Sequence, residues 1–532
     1  MKTRIISLLY LILAPVLSGV LLFLTFPMYN LGWLAWFGLV PLFIAISGRS
    51  SAYAFFSSFA FGIIFFALTF NWVFEVHSYK FIHHVALGLY LGPFFGIFGF
   101  TFNLISRRRG VTLALFSAPF IWVSLEYIKS NMGFLAFPYA WLGYTQHKYP
   151  QIIQIASVTG TYGISFLVVM VNSALAALVF SLMYRSKTVN PFPHQTISKH
   201  AVLVIVSTAA VLTIITLYYG IITISTPIVG KKHKVSIVQG NIEQAKKWDK
   251  KYVRLIMNTY TDLSKKASED KPTLIVWPEA ATPGFVLKNV DLLKQMMSLI
   301  RQTKTYYLIG SAEYPKFDKT SLNRRKMGNT ALLFSPEGRV IGQYLKIRLL
   351  PFNEYLPYSD TINWSWIDVP NVSTSLAGKK FTVFQGPDFR FSAPICWENI
   401  FPDLPRKFVK NGAQFLVNIT NEAWFGRSVG PQHYVISSIF RAVENRVFVV
   451  RCANTGISCF IDPYGRIVDR VKDEKNQDLF ISGVLTETVI PLDSKTIYTR
   501  YGDWLAWLCI GCSVIFVIIA FFKKRPDLNS QL

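Results

Sequence analysis

Three side chains of the types that cooperate in acyl transfer each come at the end of a predicted β-strand. They are Glu279, Lys346 and Cys396. A carboxylate can take the proton of a thiol, the thiolate can attack a carbonyl carbon, and a fixed ammonium can stabilise the oxyanion that forms. Taken singly, each has an ordinary explanation, because a free cysteine is more often a small buried hydrophobe and the other two are more often surface residues. Their shared position at strand ends, where α/β folds assemble sites, favours a common role.

The segment that carries these residues alternates β-rich runs with helical patterns, which predicts an α/β fold. The predicted strands are Lys234 to Gln239, Thr273 to Trp277, Tyr306 to Ser311, Thr330 to Phe334, Val340 to Leu345, Phe389 to Ile395, Phe415 to Thr420, Val447 to Ala453 and Gly456 to Asp462. The predicted helices are Tyr252 to Glu269, Val290 to Thr303 and Tyr434 to Glu444. In the strand before Cys396, Phe389, Phe391 and Ile395 are spaced like one face, and Pro394 limits the pairing.

The composition of the chain is that of a membrane protein. Hydrophobic residues make up 52% of its 532 residues, which is too apolar for an ordinary soluble protein. The net charge of +25 comes from 54 Lys and Arg against 29 Asp and Glu. In a membrane protein such an excess is most simply matched by anionic lipid headgroups, so we do not expect nucleic acid as a partner.

Eight apolar runs are each long enough to cross a bilayer. They lie near residues 5–26, 31–47, 53–74, 85–106, 111–128, 161–184, 200–224 and 504–522. We therefore predict three regions, namely a transmembrane domain of seven helices over residues 1–225, an extramembrane α/β domain over 226–503, and a last transmembrane helix with a tail over 504–532.

The distribution of positive charge among the loops predicts the orientation of the chain. Lys and Arg mark alternate connections, at Lys2 and Arg4, Arg49, Arg107 to Arg109, Arg185 with Lys187 and Lys199, and Lys523 to Arg525. Loops of this kind stay in the cytoplasm. The intervening loops are poorer in positive charge and richer in aromatic residues. We therefore expect a bacterial inner-membrane protein with its α/β domain in the periplasm.

The residues around the three candidates form motifs in a fixed order. These motifs are Trp277-Pro278-Glu279, Tyr344-Leu345-Lys346 followed by Leu350-Pro351-Phe352-Asn353-Glu354, and Ile395-Cys396-Trp397-Glu398. In them the segment resembles the carbon-nitrogen hydrolase (nitrilase) superfamily, whose triad is Glu-Lys-Cys. With its flanking apolar runs, the whole chain resembles the apolipoprotein N-acyltransferase family. Further matches are Gln239-Gly240-Asn241, Trp248-Asp249, Asn421 to Gly426, Arg441 to Glu444, Asn454-Thr455-Gly456 and Arg500 to Asp503.

The resemblance implies an αββα sandwich and N-acyltransferase activity without a cofactor or a metal. An acyl chain would move from a glycerophospholipid, typically phosphatidylethanolamine, to the N-terminal amine of the S-diacylglyceryl-cysteine of an apolipoprotein, in the last step of lipoprotein maturation. Cys396 would be the nucleophile and carry a thioester, Glu279 would be the general base, and Lys346 would stabilise the oxyanion. The reaction would follow a ping-pong sequence.

The resemblance also implies supporting residues around the triad. Glu354 would be a second carboxylate near Lys346, and Glu398 with Trp397 would support the site beside the nucleophile. This chain has Asn353, Trp397 and Glu422 where the family usually has Gly, Tyr and Asp. These substitutions leave the triad unchanged.

Three aromatic residues on polar loops, Trp248, Trp424 and Phe425, have two explanations. They can belong to mobile lids that cover or admit an acyl chain. They can equally be interfacial anchors, since aromatic side chains favour the membrane surface.

Two other functions stay open on the sequence alone. A membrane-tethered amidase of the nitrilase type would hydrolyse a small C–N substrate with water as the acceptor. A transporter or receptor would use the outer domain only to bind a ligand, but this hypothesis leaves the Glu279, Lys346 and Cys396 set unexplained.

Overall fold

The computed structural model describes residues 2–77, 79–185, 197–314, 327–364, 375–493 and 495–522. The chain divides into two compact units. The helical unit comprises Met1–Phe74, Tyr79–Ser225 and Asp503–Leu532. The α/β unit comprises Thr226–Gly502 together with the short segment Glu75–Ser78, which lies between two helices of the N-terminal region.

The described helices are numbered in chain order. They are α1 (Lys2–Phe23), α2 (Val40–Ile46), α3 (Ser51–Thr69), α4 (Phe81–Arg109), α5 (Val111–Ser130), α6 (Pro150–Ile153), α7 (Ala156–Thr159), α8 (Thr161–Arg185), α9 (Lys199–Ser225), α10 (Val253–Glu269), α11 (Val290–Thr303), α12 (Asp403–Lys410), α13 (Gly430–Asn445), α14 (Ile497–Tyr501) and α15 (Trp504–Phe522). Within the described ranges, six of them are long and apolar enough to cross a membrane, namely α3, α4, α5, α8, α9 and α15. Two shorter apolar segments, Ile12–Phe23 and Gly32–Ile46, lie where the first two spans were expected. The chain is a membrane protein.

The apolar run near residues 31–47, which was predicted as one span, does not form one continuous helix. This segment is a five-residue 3-10 helix, Gly32–Trp36, followed by the seven-residue α2. The break between them is stabilised by Asn172 on α8, whose Oδ1 accepts a hydrogen bond from the N–H of Leu39 (2.8 Å) and whose Nδ2 donates to the carbonyl oxygen of Ala35 (2.8 Å). Irregular backbone inside an apolar bundle needs such partners, because neither water nor the next helical turn supplies them.

In its described residues the α/β unit contains two six-stranded sheets. The strands are β1 (His233–Gln239), β2 (Leu274–Val276), β3 (Tyr306–Glu313), β4 (Gly328–Phe334), β5 (Val340–Leu345), β6 (Phe384–Gln385), β7 (Arg390–Ser392), β8 (Phe415–Thr420), β9 (Phe448–Ala453), β10 (Cys459–Ile461), β11 (Ile467–Arg470) and β12 (Gly483–Val489). The first sheet has the order β12-β1-β2-β3-β4-β5, and the second has the order β11-β10-β9-β8-β7-β6. In each sheet the central strands are parallel, β1-β2-β3 in the first and β7-β8-β9 in the second.

The two sheets form the inner layers of an αββα sandwich. Strand β1 lies against β9, and the Cys452 thiol on β9 approaches the carbonyl oxygens of Val238 (3.6 Å) and Val276 (3.4 Å) in the first sheet. Amphipathic helices α10 and α11 cover the first sheet with buried side chains such as Tyr260, which stacks on Trp277. Helices α12 and α13 pack on the second sheet. This architecture confirms the expected fold class.

One of the predicted strands is shortened just before Cys396. The expected strand over residues 389–395 is reduced to β7, Arg390–Ser392, and the chain meets β8 again only through a bridge between Ile395 and Ile419. Pro394 has no N–H to donate, so the pairing cannot continue through it. The sequence analysis also missed β6, β11, β12 and α12, of which β6 and β11 are the two edge strands of the second sheet and its most exposed ones.

Candidate active site

Glu279 lies just after β2 and packs against the neighbouring strand β3. Gly310 on β3 permits this approach, because a Cβ there would lie 2.2 Å from the carbonyl oxygen of Pro278 and 2.7 Å from Cα of Glu279. The Glu279 carboxylate accepts hydrogen bonds from Nδ2 of Asn329 (2.5 Å) and from the backbone N–H of Asn421 (2.8 Å). Asn329 belongs to the first sheet and Asn421 follows the second, so the carboxylate is held from both.

Lys346 follows β5, and its ammonium lies between two carboxylates. Its Nζ is 2.9 Å from Oε1 of Glu354 and 3.6 Å from Oε1 of Glu279, and the side chain is 2% exposed. Burial alone would lower the pKa of Lys346, but the carboxylates of Glu354 and Glu279 raise it well above the usual lysine range. Lys346 is therefore a fixed cation at neutral pH.

Glu354 is oriented by its own loop. Its Oε2 accepts a hydrogen bond from the N–H of Leu350 (2.7 Å), while Oε1 faces the Lys346 ammonium. The carbonyl oxygen of Glu354 accepts a further bond from the N–H of Ser375 (2.9 Å). These contacts direct the carboxylate toward Lys346 and hold it there.

Cys396 begins a short 3-10 turn, Cys396–Ile400, and has a left-handed backbone with φ of +56°. Few residues other than glycine adopt this conformation, and it is concentrated at functional sites. Burial and the negative charge of Glu279 raise the pKa of the Cys396 thiol far above its usual range, while Lys346 opposes the shift. The residue as a whole is partly exposed. Its thiol is protonated at neutral pH, and it needs a base to react.

Glu398 ties the turn that begins at Cys396 to the loop that follows Lys346. Its carboxylate accepts hydrogen bonds from the N–H groups of Ile395 (2.7 Å), Ile347 (2.7 Å) and Arg348 (2.9 Å), and from the hydroxyl of Tyr344 (2.8 Å). Glu398 is fully buried, and burial raises its pKa to about 7. All of these partners are backbone groups or a neutral hydroxyl, so this carboxylate holds loops in place.

Trp397 makes a second tie between the same two segments. Its indole Nε1 donates to the carbonyl oxygen of Arg348 (2.7 Å), and its ring packs edge-on against Phe401 at 4.8 Å. The residue is buried. Trp397 is therefore a buried member of the cysteine turn, and its indole N–H binds the backbone of the loop that follows Lys346.

The three aromatic lid candidates lie on loops, outside the cluster of charged residues. Trp248 and Trp424 are 51% and 44% exposed. Phe425 is half-buried, with its ring 5.4 Å from that of Tyr434. Trp248 directly follows Lys247, which contacts the Glu279 backbone, so its loop borders the site.

The sequence analysis missed two side chains that contact Glu279. Asn329, at the start of β4, donates to its carboxylate, and Lys247 donates from Nζ to its carbonyl oxygen (3.1 Å). Burial lowers the pKa of Lys247 to about 8. The pair Lys246-Lys247 is typical of a solvated loop, and no pattern in the sequence distinguishes its buried member.

Comparisons with known proteins match both halves of the chain. Residues 18–174 match the family described as apolipoprotein N-acyltransferase N-terminal domain, and residues 234–492 match the carbon-nitrogen hydrolase family. Among solved structures, an amidase from Nesterenkonia sp. is 18% identical, with a TM-score of 0.37 over 50% of this chain and 93% of that chain.

Relatives are similar over nearly the whole length. The apolipoprotein N-acyltransferase of Geobacter metallireducens is 36% identical over 520 residues, which cover 96% of this chain and 95% of the relative. The apolipoprotein N-acyltransferase of Chlorobaculum tepidum is 28% identical over 540 residues, covering 96% of each. The chain belongs to the apolipoprotein N-acyltransferase family.

Proposed function

We propose that this chain transfers an acyl chain from a glycerophospholipid to the N-terminal amine of the S-diacylglyceryl-cysteine of apolipoproteins, through a thioester on Cys396. The observation that carries the proposal is the buried Lys346 ammonium, held between the Glu279 and Glu354 carboxylates and close enough to Cys396 for their charges to act on its thiol. This set supplies a base, an oxyanion partner and a nucleophile, which are the groups that acyl transfer through a thioester requires.

In the first half-reaction Glu279 takes the thiol proton as Sγ of Cys396 bonds to the ester carbonyl carbon. Lys346 stabilises the tetrahedral oxyanion. The ester C–O bond then breaks, and the departing lysophospholipid oxygen receives the proton from Glu279. A thioester and a lysophospholipid result.

In the second half-reaction the neutral amine of the lipoprotein attacks the thioester carbonyl carbon. Glu279 takes the amine proton, the C–S bond breaks, and the thiolate of Cys396 recovers a proton from Glu279. The enzyme returns to its starting state, and the acyl chain is now held by an amide bond. Glu354 keeps the Lys346 ammonium in position through both steps.

A membrane location follows from the substrates, because exposing an acyl chain to water costs about 0.8 kcal/mol per CH₂ group. Six span-length helices in the described residues provide the anchorage. We infer that the chain lies in a bacterial inner membrane with the α/β unit on the periplasmic side, as its loop charges indicate. Phosphatidylethanolamine is the proposed donor, and we assign Trp248, Trp424 and Phe425 to lids beside the site.

The proposal is tested by incubating the purified protein with phosphatidylethanolamine, without acceptor, and measuring its intact mass. We expect a fatty-acyl increment that hydroxylamine removes and that Cys396→Ala lacks. Cys452→Ala is the matched control, because Cys452 is a buried thiol in the same unit, and it should keep the increment.

A folded wild-type protein that gains no acyl group from any phospholipid would contradict the donor mechanism. Rapid hydrolysis of a small soluble amide under the same conditions would favour the amidase hypothesis.

A further inference from the structure

We propose that Arg451 is a positioning residue for this reaction, acting on the nucleophile through Asn418 and on the general base through Glu422. The inference deepens the proposed function and rests on it for the reaction concerned. Arg451, Asn418 and Glu422 are buried, and they do not include any residue of the predicted triad.

The guanidinium of Arg451 has three acceptors in different directions. Nη1 donates to Oδ1 of Asn418 (2.7 Å), Nε donates to the carbonyl oxygen of Ile457 (3.1 Å), and Nη2 pairs with Oε1 of Glu422. Asn418 and Arg451 are direct partners in the register of the parallel strands β8 and β9. Only the planar fork of arginine supplies donors at these angles, because a lysine ammonium is a single point of charge.

The first arm of this arrangement reaches the nucleophile. Nδ2 of Asn418 donates to the carbonyl oxygens of Pro394 (3.0 Å) and Cys396 (3.3 Å). Because Arg451 binds the amide oxygen, the amide nitrogen must face these two carbonyls. Cys396 has a left-handed backbone, and a bond to its carbonyl fixes the peptide plane on one side of the residue. The direction of the Cα–Cβ bond that carries the thiol is thereby fixed too.

The second arm reaches the general base. Glu422 directly follows Asn421, whose N–H donates to Oε2 of Glu279 (2.8 Å). The pair between Arg451 and Glu422 anchors this segment to β9. One guanidinium therefore sets the position of both groups between which the thiol proton must move.

Stability alone does not account for these buried charges. A buried ion pair generally adds little compared with apolar residues of the same volume, since desolvation offsets the attraction. Removing one partner leaves the other charge buried without a counter-charge, which destabilises the fold. A single substitution of Arg451 or Glu422 would therefore change stability and activity together. Removing both charges together avoids this.

The experiment compares Arg451→Met/Glu422→Leu, Asn418→Leu and the control Val449→Ala in the full-length protein. Val449 lies two residues before Arg451 on the same face of β9, is fully buried, and pairs with Leu416 and Ile461. All variants are measured well below their Tm. We expect acylation by phosphatidylethanolamine to slow about 100-fold in the first two, with KM within about three-fold of wild type. Val449→Ala should lower Tm without this loss.

A second readout does not need the lipid substrate. The rate of Cys396 alkylation by iodoacetamide is measured against pH. In the Arg451→Met/Glu422→Leu and Asn418→Leu variants the Cys396 thiol is no longer held in its position. The pH midpoint of its alkylation should therefore fall toward the ordinary thiol range. Val449→Ala should keep the wild-type midpoint. Unchanged acylation and an unchanged alkylation profile in folded variants would overturn the proposal. A wild type that never acylates would contradict the proposed function, and the alkylation profile would still decide the role of Arg451.

Discussion

The helical unit and the α/β unit both bury polar side chains, but they use them differently. In the helical unit, the side-chain amide of Asn172 hydrogen-bonds to the backbone groups of Leu39 and Ala35 at the break before α2. In the α/β unit, Lys346 and Glu279 are charged groups paired with each other beside the Cys396 thiol, whose pKa both of them affect. A buried polar group that hydrogen-bonds only to backbone stabilises the fold. A charged cluster beside a nucleophile can in addition take part in a reaction with a substrate.

The largest effect should come from Glu279→Gln. Glutamine keeps the size of the side chain and can still accept the Asn329 hydrogen bond, but it cannot take the thiol proton. We expect acylation by phosphatidylethanolamine to fall about 10²- to 10⁴-fold, measured by intact mass in a single turnover. Glu269→Gln, at the exposed end of α10, is the control. Acylation within tenfold of wild type would mean that Glu279 is not the base.

Lys346→Met should affect both chemistry and stability. It removes the proposed oxyanion partner, which should cost about 10²- to 10³-fold in rate. It also leaves the buried Glu279 and the partly buried Glu354 without the cation that they share, which should lower the free energy of unfolding by about 3–5 kcal/mol. Urea unfolding and single-turnover acylation measure the two effects.

A double variant separates the loss of rate from the loss of stability. Lys346→Met/Glu354→Gln should regain much of the stability and none of the rate. Recovery of the rate would show that the cation is dispensable.

Glu398→Gln tests a carboxylate of the site that hydrogen-bonds to backbone N–H groups. Because its pKa is raised to about 7 from the ordinary 4.5, the folded protein holds a proton that the unfolded chain releases. Its contribution to the free energy of unfolding therefore falls as pH rises from about 4.5 to about 7. The variant should show a flatter pH dependence across this window, and acylation should fall about 10- to 100-fold because the cysteine turn loses its tether. An unchanged pH dependence would contradict this assignment.

The smallest effect on chemistry should come from Asn172→Leu. The N–H of Leu39 and the carbonyl of Ala35 lose their partner, so the free energy of unfolding should drop by about 1–3 kcal/mol. Acylation at a temperature where the variant is folded should match wild type. A loss of acylation at unchanged stability would break the contrast between the two units.

The parts of the site that could be predicted from the sequence are those that depend on local pattern. Glu279, Lys346 and Cys396 follow apolar runs, and the alternation of strands and helices indicated an α/β unit. The chain order of the motifs identified the family, as the comparison with relatives then showed. Each single motif, strand pattern or helix pattern is contained within a few neighbouring residues, and their order is read directly along the chain.

The remaining features depend on contacts between distant residues. The break before α2 is stabilised by Asn172, which lies 133 residues beyond Leu39 in the chain. The left-handed backbone of Cys396 could not be predicted from hydrophobic periodicity. That pattern indicates which face of a helix or strand is buried, and it carries no information about φ. The burial of Lys247 is set by the loops that pack over it. No local pattern contains this information.

The pairing of β12 with β1 has a consequence for how the protein is made. His233 pairs with Val489 and Gln239 with Gly483. The first strand of the α/β unit therefore lacks one of its two partner strands until the last strand has been synthesised. During synthesis β1 remains an open sheet edge until residue 489 has emerged, and open edges invite pairing with other chains. The first sheet, which carries Glu279, is therefore completed late. Truncations before β12 should aggregate or be degraded.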